Sequence, residues 1–436
     1  MSEQKGSMIV PIAIIAGLFA IFGFVTWING ALIPFMQSIC ELTSAEAFLV
    51  ASASYISFSV MALPSAYVLK KTGYKNGMSI GLLLMAIGAV VFIPAASSRT
   101  FSLVLVGIFI QGSGMTLLQT AANPYITIIG PIESAAKRIS IMGICNKSAG
   151  ALGSFVFGAL LLSGIDELKA TVDTISLEEK EQFLNAMASS VNMPYTIMAL
   201  ALGLFAVLIR FAPLPDIEAS ADEEVAEGQV AKTSVFQFPH LLLGVLTLFI
   251  YVGAEVIAGD TIIAYGISLG LSVADAKYFT SFTLGAMIVT YLMGVVLIPK
   301  YISQETALKG SAVLGLIFSV CIINTTGFTS VLFVASLGIA NALVWPAIWP
   351  LALNGLGKFT KTGSALLIMG ISGGAIIPPL YGLLVDMKQA SLIAEGIAEA
   401  EATSTAATGS YWLLLPCYVM ILYYAFAGHK IGFKKN

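Results

Sequence analysis

Charge is what this chain lacks most. Of its 436 residues, 10% are Asp, Glu, Lys or Arg, against about 25% in an average soluble domain. A soluble fold of this length could bury a large core, but it would still need a charged surface to face water. The hydrophobic share is 58%, and the mean hydropathy is +0.92. These values exclude a cytosolic enzyme, a nucleic-acid binder and a disordered regulator. They leave an integral membrane protein with a lipid bilayer as its solvent.

Histidine and cysteine are scarce as well. The two histidines, His240 and His429, sit at the edges of apolar segments, which argues against a His-based catalytic site. Cys40, Cys145, Cys321 and Cys417 lie far apart with no CxxC or CxxH spacing, so neither a metal site nor a disulfide framework is expected. No DxD-like motif or comparable catalytic set lies near a span end. The expectation is a protein that is not an enzyme and carries no cofactor or resident metal.

What is present is long apolar runs. About 20 mostly apolar residues cross a bilayer as a helix. Such runs occur at roughly 8–36, 46–69, 76–96, 101–130, 138–163, 193–213, 238–268, 273–298, 306–324, 328–356, 362–386 and 410–432. The first is too long for a signal peptide and has no small-residue cleavage site, so it counts as a span. With the N-terminus in the cytoplasm, fifteen of the 21 basic residues fall on the inner side, five on the outer side and one, Lys147, inside a span. That asymmetry places both termini inside. Two outer loops are long, 164–192 and 387–409. The first carries SLEEKEQFLNAM, which fits a short surface helix. The acidic segment 214–237 reads as a linker.

The linker divides the chain into 1–213 and 238–436, six spans each, and the two parts show weak self-similarity. RISIMGI at 138–144 lies opposite ALLIMGI at 365–371, Gly130 opposite Gly357, and Asn123-Pro124 opposite Trp349-Pro350, all at nearly one offset. The expected fold is therefore all-α, with 12 transmembrane helices in two six-helix halves. Parallel halves of this kind make the major facilitator arrangement, whose substrate site lies between them near mid-membrane. Pro124, Pro346, Pro350, Pro378 and Pro379 are expected to kink helices that line it.

Ionisable residues inside spans mark function, because each costs several kcal/mol, roughly, unless paired or wetted. Of the 24 acids, Glu255 and Asp260 fall deep in the seventh span, and Lys147 in the fifth is the basic counterpart. The two acids are five residues apart, ~140° around a regular helix. They face one cavity only if the helix unwinds near Gly259; otherwise they do different jobs. These three are the candidates for cation coupling. Neutral polar residues cluster too: Asn29 in the first span, Gln119 and Asn123 one turn apart in the fourth, Asn146 beside Lys147, and Asn341, Trp345 and Trp349 in the tenth. Amides read hydroxyls, and an indole face stacks on the C–H face of a sugar ring. Trp349, just before Pro350 and level with Asn123, is the favoured stacking residue. An amide-rich, indole-walled cavity with one basic residue suits a neutral polyol and suits a phosphorylated metabolite poorly.

QTAANPYITIIGP at 119–131, YVGAE at 251–255, LKKTGYKNG at 69–77 and WPLALNGLGKFTKTGSALLIMGISGGA at 349–375 resemble the fucose–galactose–glucose:cation symporters of the major facilitator superfamily. The likeness is closer to the glucose/galactose and N-acetylglucosamine transporters than to the L-fucose permeases. The L-fucose permease branch carries an aspartate after the first-span asparagine, where this chain reads Asn29-Gly30, and a glutamate where it has Gln119. The resemblance implies a monomeric transporter of the bacterial inner membrane that takes up a monosaccharide such as glucose, galactose or mannose by alternating access. With both of those carboxylates absent, cation coupling falls on the seventh span, at Asp260 first and Glu255 second. The proton is favoured over sodium, and a sodium site near Asp260 with Thr261 is the other reading. N-acetylglucosamine or fucose transport, or an uncoupled sugar uniporter or sensor, are the alternatives on the same fold.

Overall fold

The computed structural model describes residues 3–128, 135–162, 165, 176–212, 214, 233–298, 300–356 and 359–432. Among them there is helix and no strand. The helices are α1 (Glu3–Trp27), α2 (Asn29–Cys40), α3 (Ser44–Ser97), α4 (Phe101–Ile128), α5 (Ala135–Leu161), α6 (Leu177–Ser189), α7 (Asn192–Phe211), α8 (Pro239–Asp260) and α9 (Ile262–Ser268). After them come α10 (Val273–Ala276), α11 (Phe279–Leu297), α12 (Gln304–Ile323), α13 (Gly327–Ala342), α14 (Val344–Leu353), α15 (Thr360–Gly370), α16 (Gly373–Ala394), α17 (Glu399–Ser410) and α18 (Leu414–Phe426). A bilayer core offers no hydrogen-bond partners, so runs this apolar must satisfy their backbone internally, and the helix does so. The outward faces carry large apolar side chains such as Leu63, Leu200 and Val296, as a lipid-facing belt requires.

Eleven of the described helical stretches are long and apolar enough to cross a membrane. The runs 46–69 and 76–96 fall within one of these, the 54-residue α3. The helix is interrupted at Gly73, where φ is 74° and ψ 170°. Only glycine adopts that conformation without strain, so LKKTGYKNG turns the chain there without a long loop. Other runs are also broken, for example at Ile28, Thr261, Leu343 and Ile371–Ser372. Prolines do not place all of these breaks. Pro346 sits in the first turn of α14, where a missing N–H costs nothing. Pro378 and Pro379 lie inside a continuous α16, and the break precedes them among Gly370–Gly373. The Pro124 side chain, Gly130, Gly357 and nearly all of the linker lie outside what is described.

The two expected outer loops resolve differently. SLEEKEQFLNAM forms the short helix α6, opened by a capping box between Ser176 and Glu179. It is tied down by Lys180 to Glu41 and by Glu181 to Arg99. The segment 387–409, in contrast, is largely helical: α16 continues to Ala394 and α17 begins at Glu399. Its alanines and glutamates are strong helix formers, and Gln389 Nε2 donates to Thr403 Oγ1 at 2.9 Å to hold the two pieces together.

Helices before and after the linker meet along two seams. On the first, α3 and α16, Ala45 N–H donates to Asp386 Oδ2 at 2.9 Å, Ser52 Oγ to the Ala375 carbonyl at 2.6 Å, and Ser59 Oγ to Ser372 Oγ at 2.7 Å. On the second, α5 and the start of α11, Ser281 Oγ donates to the Ala151 carbonyl at 2.8 Å and Phe155 stacks on Tyr278 with centroids 4.5 Å apart. The space between the seams holds the site.

Candidate functional site

A cavity of about 150 Å³ lies where α1, α3, α4 and α5 meet α8, α11 and α14. At its centre Lys147 Nζ from α5 stands 3.0 Å from Glu255 Oε1 of α8. The two side chains are 9% and 12% exposed, so the pair is nearly enclosed but still reaches the cavity. A buried charge without a partner is strongly destabilising, while a paired one is tolerated. The Lys147 ammonium also lies 4.2 Å from the ring centroid of Trp27, an attractive placement for a cation.

Trp27 owes its position to two features of the chain. It is the last residue of α1, next to the break at Ile28. Its indole also fills a slot on α8 at Gly259, where any Cβ would overlap the ring. A glycine at 259 is therefore a packing requirement. The helix α8 stays regular through Asp260 and ends only there, so no unwinding occurs at Gly259.

Six of the ten residues singled out from sequence line this cavity: Gln119, Asn123, Asn146, Lys147, Glu255 and Trp345. Asn146 also donates from Nδ2 to the Phe19 carbonyl at 3.2 Å, which ties α5 to α1. The other four lie elsewhere. Trp349 stacks on Trp345, centroids 5.4 Å apart and planes 25° apart, outside the lining. Asn341 is fully buried, and its Oδ1 accepts from Tyr418 Oη at 2.9 Å, joining α13 to α18. Asn29 and Asp260 are buried next to each other at the first-span break.

Asp260 differs from Glu255 in every respect that matters. It is 0% exposed, and among the described residues neither carboxyl oxygen makes a well-formed hydrogen bond; the Asn29 side chain lies against it, and the Lys147 and Glu255 charges act on it. Among the described residues Asn29 Nδ2 likewise makes no well-formed hydrogen bond. The carbonyls nearest along α8 are all taken: Thr261, Thr283 and Thr280 donate to Ile257, Ala258 and Gly259 at 2.6, 3.0 and 2.7 Å.

Sequence reasoning passed over the aromatic wall. Phe22, Trp27, Tyr55, Phe58, Tyr251 and Tyr291 line the cavity with the amides. In an apolar chain these read as packing residues; only Trp27, one of four tryptophans and two residues from Asn29, and Tyr251, the first residue of YVGAE, carried any signal. The arrangement as a whole is a polar, charge-balanced hole with flat apolar faces. Among the described lining residues it has hydroxyl-reading groups and no nucleophile–base constellation.

The model of the Major Facilitator Superfamily matches residues 15–390. The chain is 33% identical over 416 residues to the glucose/galactose transporter of Brucella abortus biovar 1 (strain 9-941), covering 95% of this chain and 92% of that one. It is 29% identical over 391 residues to the L-fucose-proton symporter of Escherichia coli K12, covering 88% of each. The crystal structure of the Major Facilitator Superfamily transporter FucP in the outward conformation matches with a TM-score of 0.70 at 26% identity, over 96% of this chain and 98% of that one. The chain belongs to the Major Facilitator Superfamily, among its fucose–galactose–glucose:cation symporters, and is a membrane transporter rather than an enzyme.

Proposed function

We propose that this protein takes up a neutral monosaccharide of the hexose class across the bacterial inner membrane, by alternating access and coupled to a cation gradient. In this reading twelve spans form two six-helix halves, 1–213 and 238–436, joined by the linker 214–237. Both termini are cytoplasmic and the protein works as a monomer. The observation that carries the reading is the cavity itself. It lies between the two seams, presents Gln119, Asn123 and Asn146 beside indole and phenol faces, and holds one closed ion pair with no surplus charge. The names of the relatives, a glucose/galactose transporter and an L-fucose-proton symporter, support the same substrate class.

For the coupling ion the proton is favoured, with Asp260 as its carrier. Sodium needs several oxygens around one point, and the carbonyls of Ile257, Ala258 and Gly259 already accept from threonine hydroxyls. A proton needs one carboxyl group. With the N-terminus inside, the start of α3 and the end of α16 lie outermost, so the contact from Ala45 to Asp386 closes the outer end and the cavity faces the cytoplasm.

The test is radiolabelled uptake into proteoliposomes with imposed proton or sodium gradients, using glucose, galactose, mannose, N-acetylglucosamine and L-fucose. Accumulation of one hexose above its external concentration, driven by the proton gradient, is the expected result. Accumulation under sodium alone would transfer coupling to sodium. Absence of saturable uptake for every sugar would end the sugar reading.

A further inference from the structure

Lys147 and Glu255 satisfy each other, but a single contact uses only part of what each can do. An ammonium has three donors, and a carboxylate has about four acceptor sites. The 3.0 Å contact takes one of each. Trp27 covers one flank of the ammonium and offers it no lone pair. The Tyr251 phenol lines the same cavity. Both ends of the pair line the cavity, so donor and acceptor capacity remains, side by side and aimed at whatever occupies the space.

A donor and an acceptor held 3.0 Å apart select a particular ligand feature. Neighbouring gauche hydroxyls on a six-membered sugar ring hold their oxygens about one hydrogen-bond length apart, roughly 2.8–3.0 Å. We propose that the Lys147–Glu255 pair reads a vicinal gauche diol of the transported sugar, one hydroxyl donating to the Glu255 carboxylate while its neighbour's oxygen accepts from Lys147 Nζ. The inference rests on the sugar-transport reading and makes the ion pair, rather than the amides alone, its specificity determinant.

The arrangement has two physical advantages. The ion pair stays closed when the sugar binds, so neither charge is left alone in a nearly enclosed site, and an uncharged ligand leaves the cavity neutral. It also discriminates sharply. A sugar lacking either hydroxyl leaves a charged group short of a partner, which is penalised far more than a lost apolar contact. A trans-diaxial diol points its oxygens apart and cannot span the pair. Glucose-like and galactose-like rings both present gauche neighbours, so the pair selects the class of polyol, and the surrounding amides are left to separate its members.

The experiment measures how well the parent hexose and each of its singly deoxygenated analogues compete with radiolabelled parent in proteoliposomes holding the full chain. In the wild type, deoxygenation at two adjacent ring positions weakens competition by about 10- to 100-fold each, the range for hydrogen bonds to charged groups. In the double variant Lys147→Gln, Glu255→Gln, which keeps hydrogen-bonding side chains and leaves no lone charge, those two penalties shrink to within about threefold. Penalties at other positions persist. If no two neighbouring ring positions are both sensitive, the proposal is overturned without any variant, so it stays testable if the double variant does not fold. Unchanged penalties in a folded double variant overturn it too. In both of those outcomes sugar transport itself still stands. If no hexose competes in the wild type, the transport reading fails first and this inference falls with it.

Discussion

Glu255 and Asp260 lie on the same regular helix, yet Glu255 faces the cavity and pairs with Lys147 at 3.0 Å while Asp260 is sealed away against Asn29, with no well-formed hydrogen bond among the described residues. Five residues carry a helix through ~140°, and that angle separates the two surroundings. One acid lines the cavity, and the other is buried against Asn29 outside its lining. Their consequences on mutation should therefore differ.

Removing one member of the Lys147–Glu255 pair leaves the other charge nearly enclosed. Lys147→Ala and Glu255→Ala should each destabilise the protein by about 3 kcal/mol, the low end for breaking a buried pair, because both groups still touch the cavity. The variant lacking both should lose less than the sum of the two. Thermal unfolding of the purified proteins in detergent measures this, and strictly additive losses would contradict a direct pairing.

The cavity amides and the cavity-lining indole of Trp345 should act on affinity rather than on folding. Gln119→Ala and Asn123→Ala should each weaken sugar binding by about 1–3 kcal/mol. Trp345→Ala should cost about 1 kcal/mol or more, and Trp345→Phe less, since a ring face is retained. Trp349→Ala should cost less than Trp345→Ala, because Trp349 meets the cavity only through its stack on Trp345. Calorimetric titration of the sugar resolves the order, and a larger loss at Trp349 would place the stacking face there instead.

Much of this was legible in the chain before any coordinates. Apolar runs of twenty or so residues leave the backbone no option but helix, and Lys147, Glu255 and Asp260 stood out because charges in such runs are expensive. The i, i+4 spacing of Gln119 and Asn123 put both on one face, and both line the cavity. The same spacing in Trp345 and Trp349 was misleading. The two indoles do share a face and stack on each other, but they sit one turn apart along α14, and of the two only Trp345 lines the cavity. The partner of Lys147 was also hidden. Both acids were at suitable depth, and only the regularity of α8 past Gly259 decides between them. Asn341 shows the limit of reading polarity as function: its carbonyl oxygen is occupied by Tyr418, 77 residues away.

The contact of Ala45 with Asp386 joins the two seam helices at one end. The first N–H groups of a helix have no intrahelical partner. Thr43 and Glu46 cap each other at the start of α3, and Asp386 supplies the acceptor for Ala45 from the other side of the seam at 2.9 Å. A carboxylate there is also favoured by the positive end of the helix dipole. When the halves open on this side, the bond must break. Asp386→Ala should therefore shift the facing equilibrium toward the outward-open form by about 1–2 kcal/mol, and sugar affinity within each state should be unchanged. Distances between spin labels on these ends of α3 and α16 report the shift, and an unaltered distribution would show that the bond does not bias the equilibrium.

Asp260 is the remaining test, and it separates coupling from carriage. The group is fully enclosed, with no well-formed hydrogen bond to either oxygen among the described residues, the Asn29 side chain against it and the Lys147 and Glu255 charges close enough to act on it. It touches none of the ligand cavity. Substituting asparagine preserves the size and neutrality of a protonated acid but removes the ability to release a proton. Asp260→Asn should therefore abolish accumulation of sugar against its gradient. It should leave counterflow exchange measurable, since exchange needs only the sugar cavity and the rocking of the two halves. It should also remove the dependence of uptake rate on an imposed proton gradient, a readout that a purely structural defect would not move selectively. Loss of exchange together with accumulation would make Asp260 a structural residue. Accumulation equal to wild type would pass the coupling role to Glu255, whose carboxylate would then have to release Lys147 in each cycle, and the pairing energy of about 3 kcal/mol would appear as a barrier to transport.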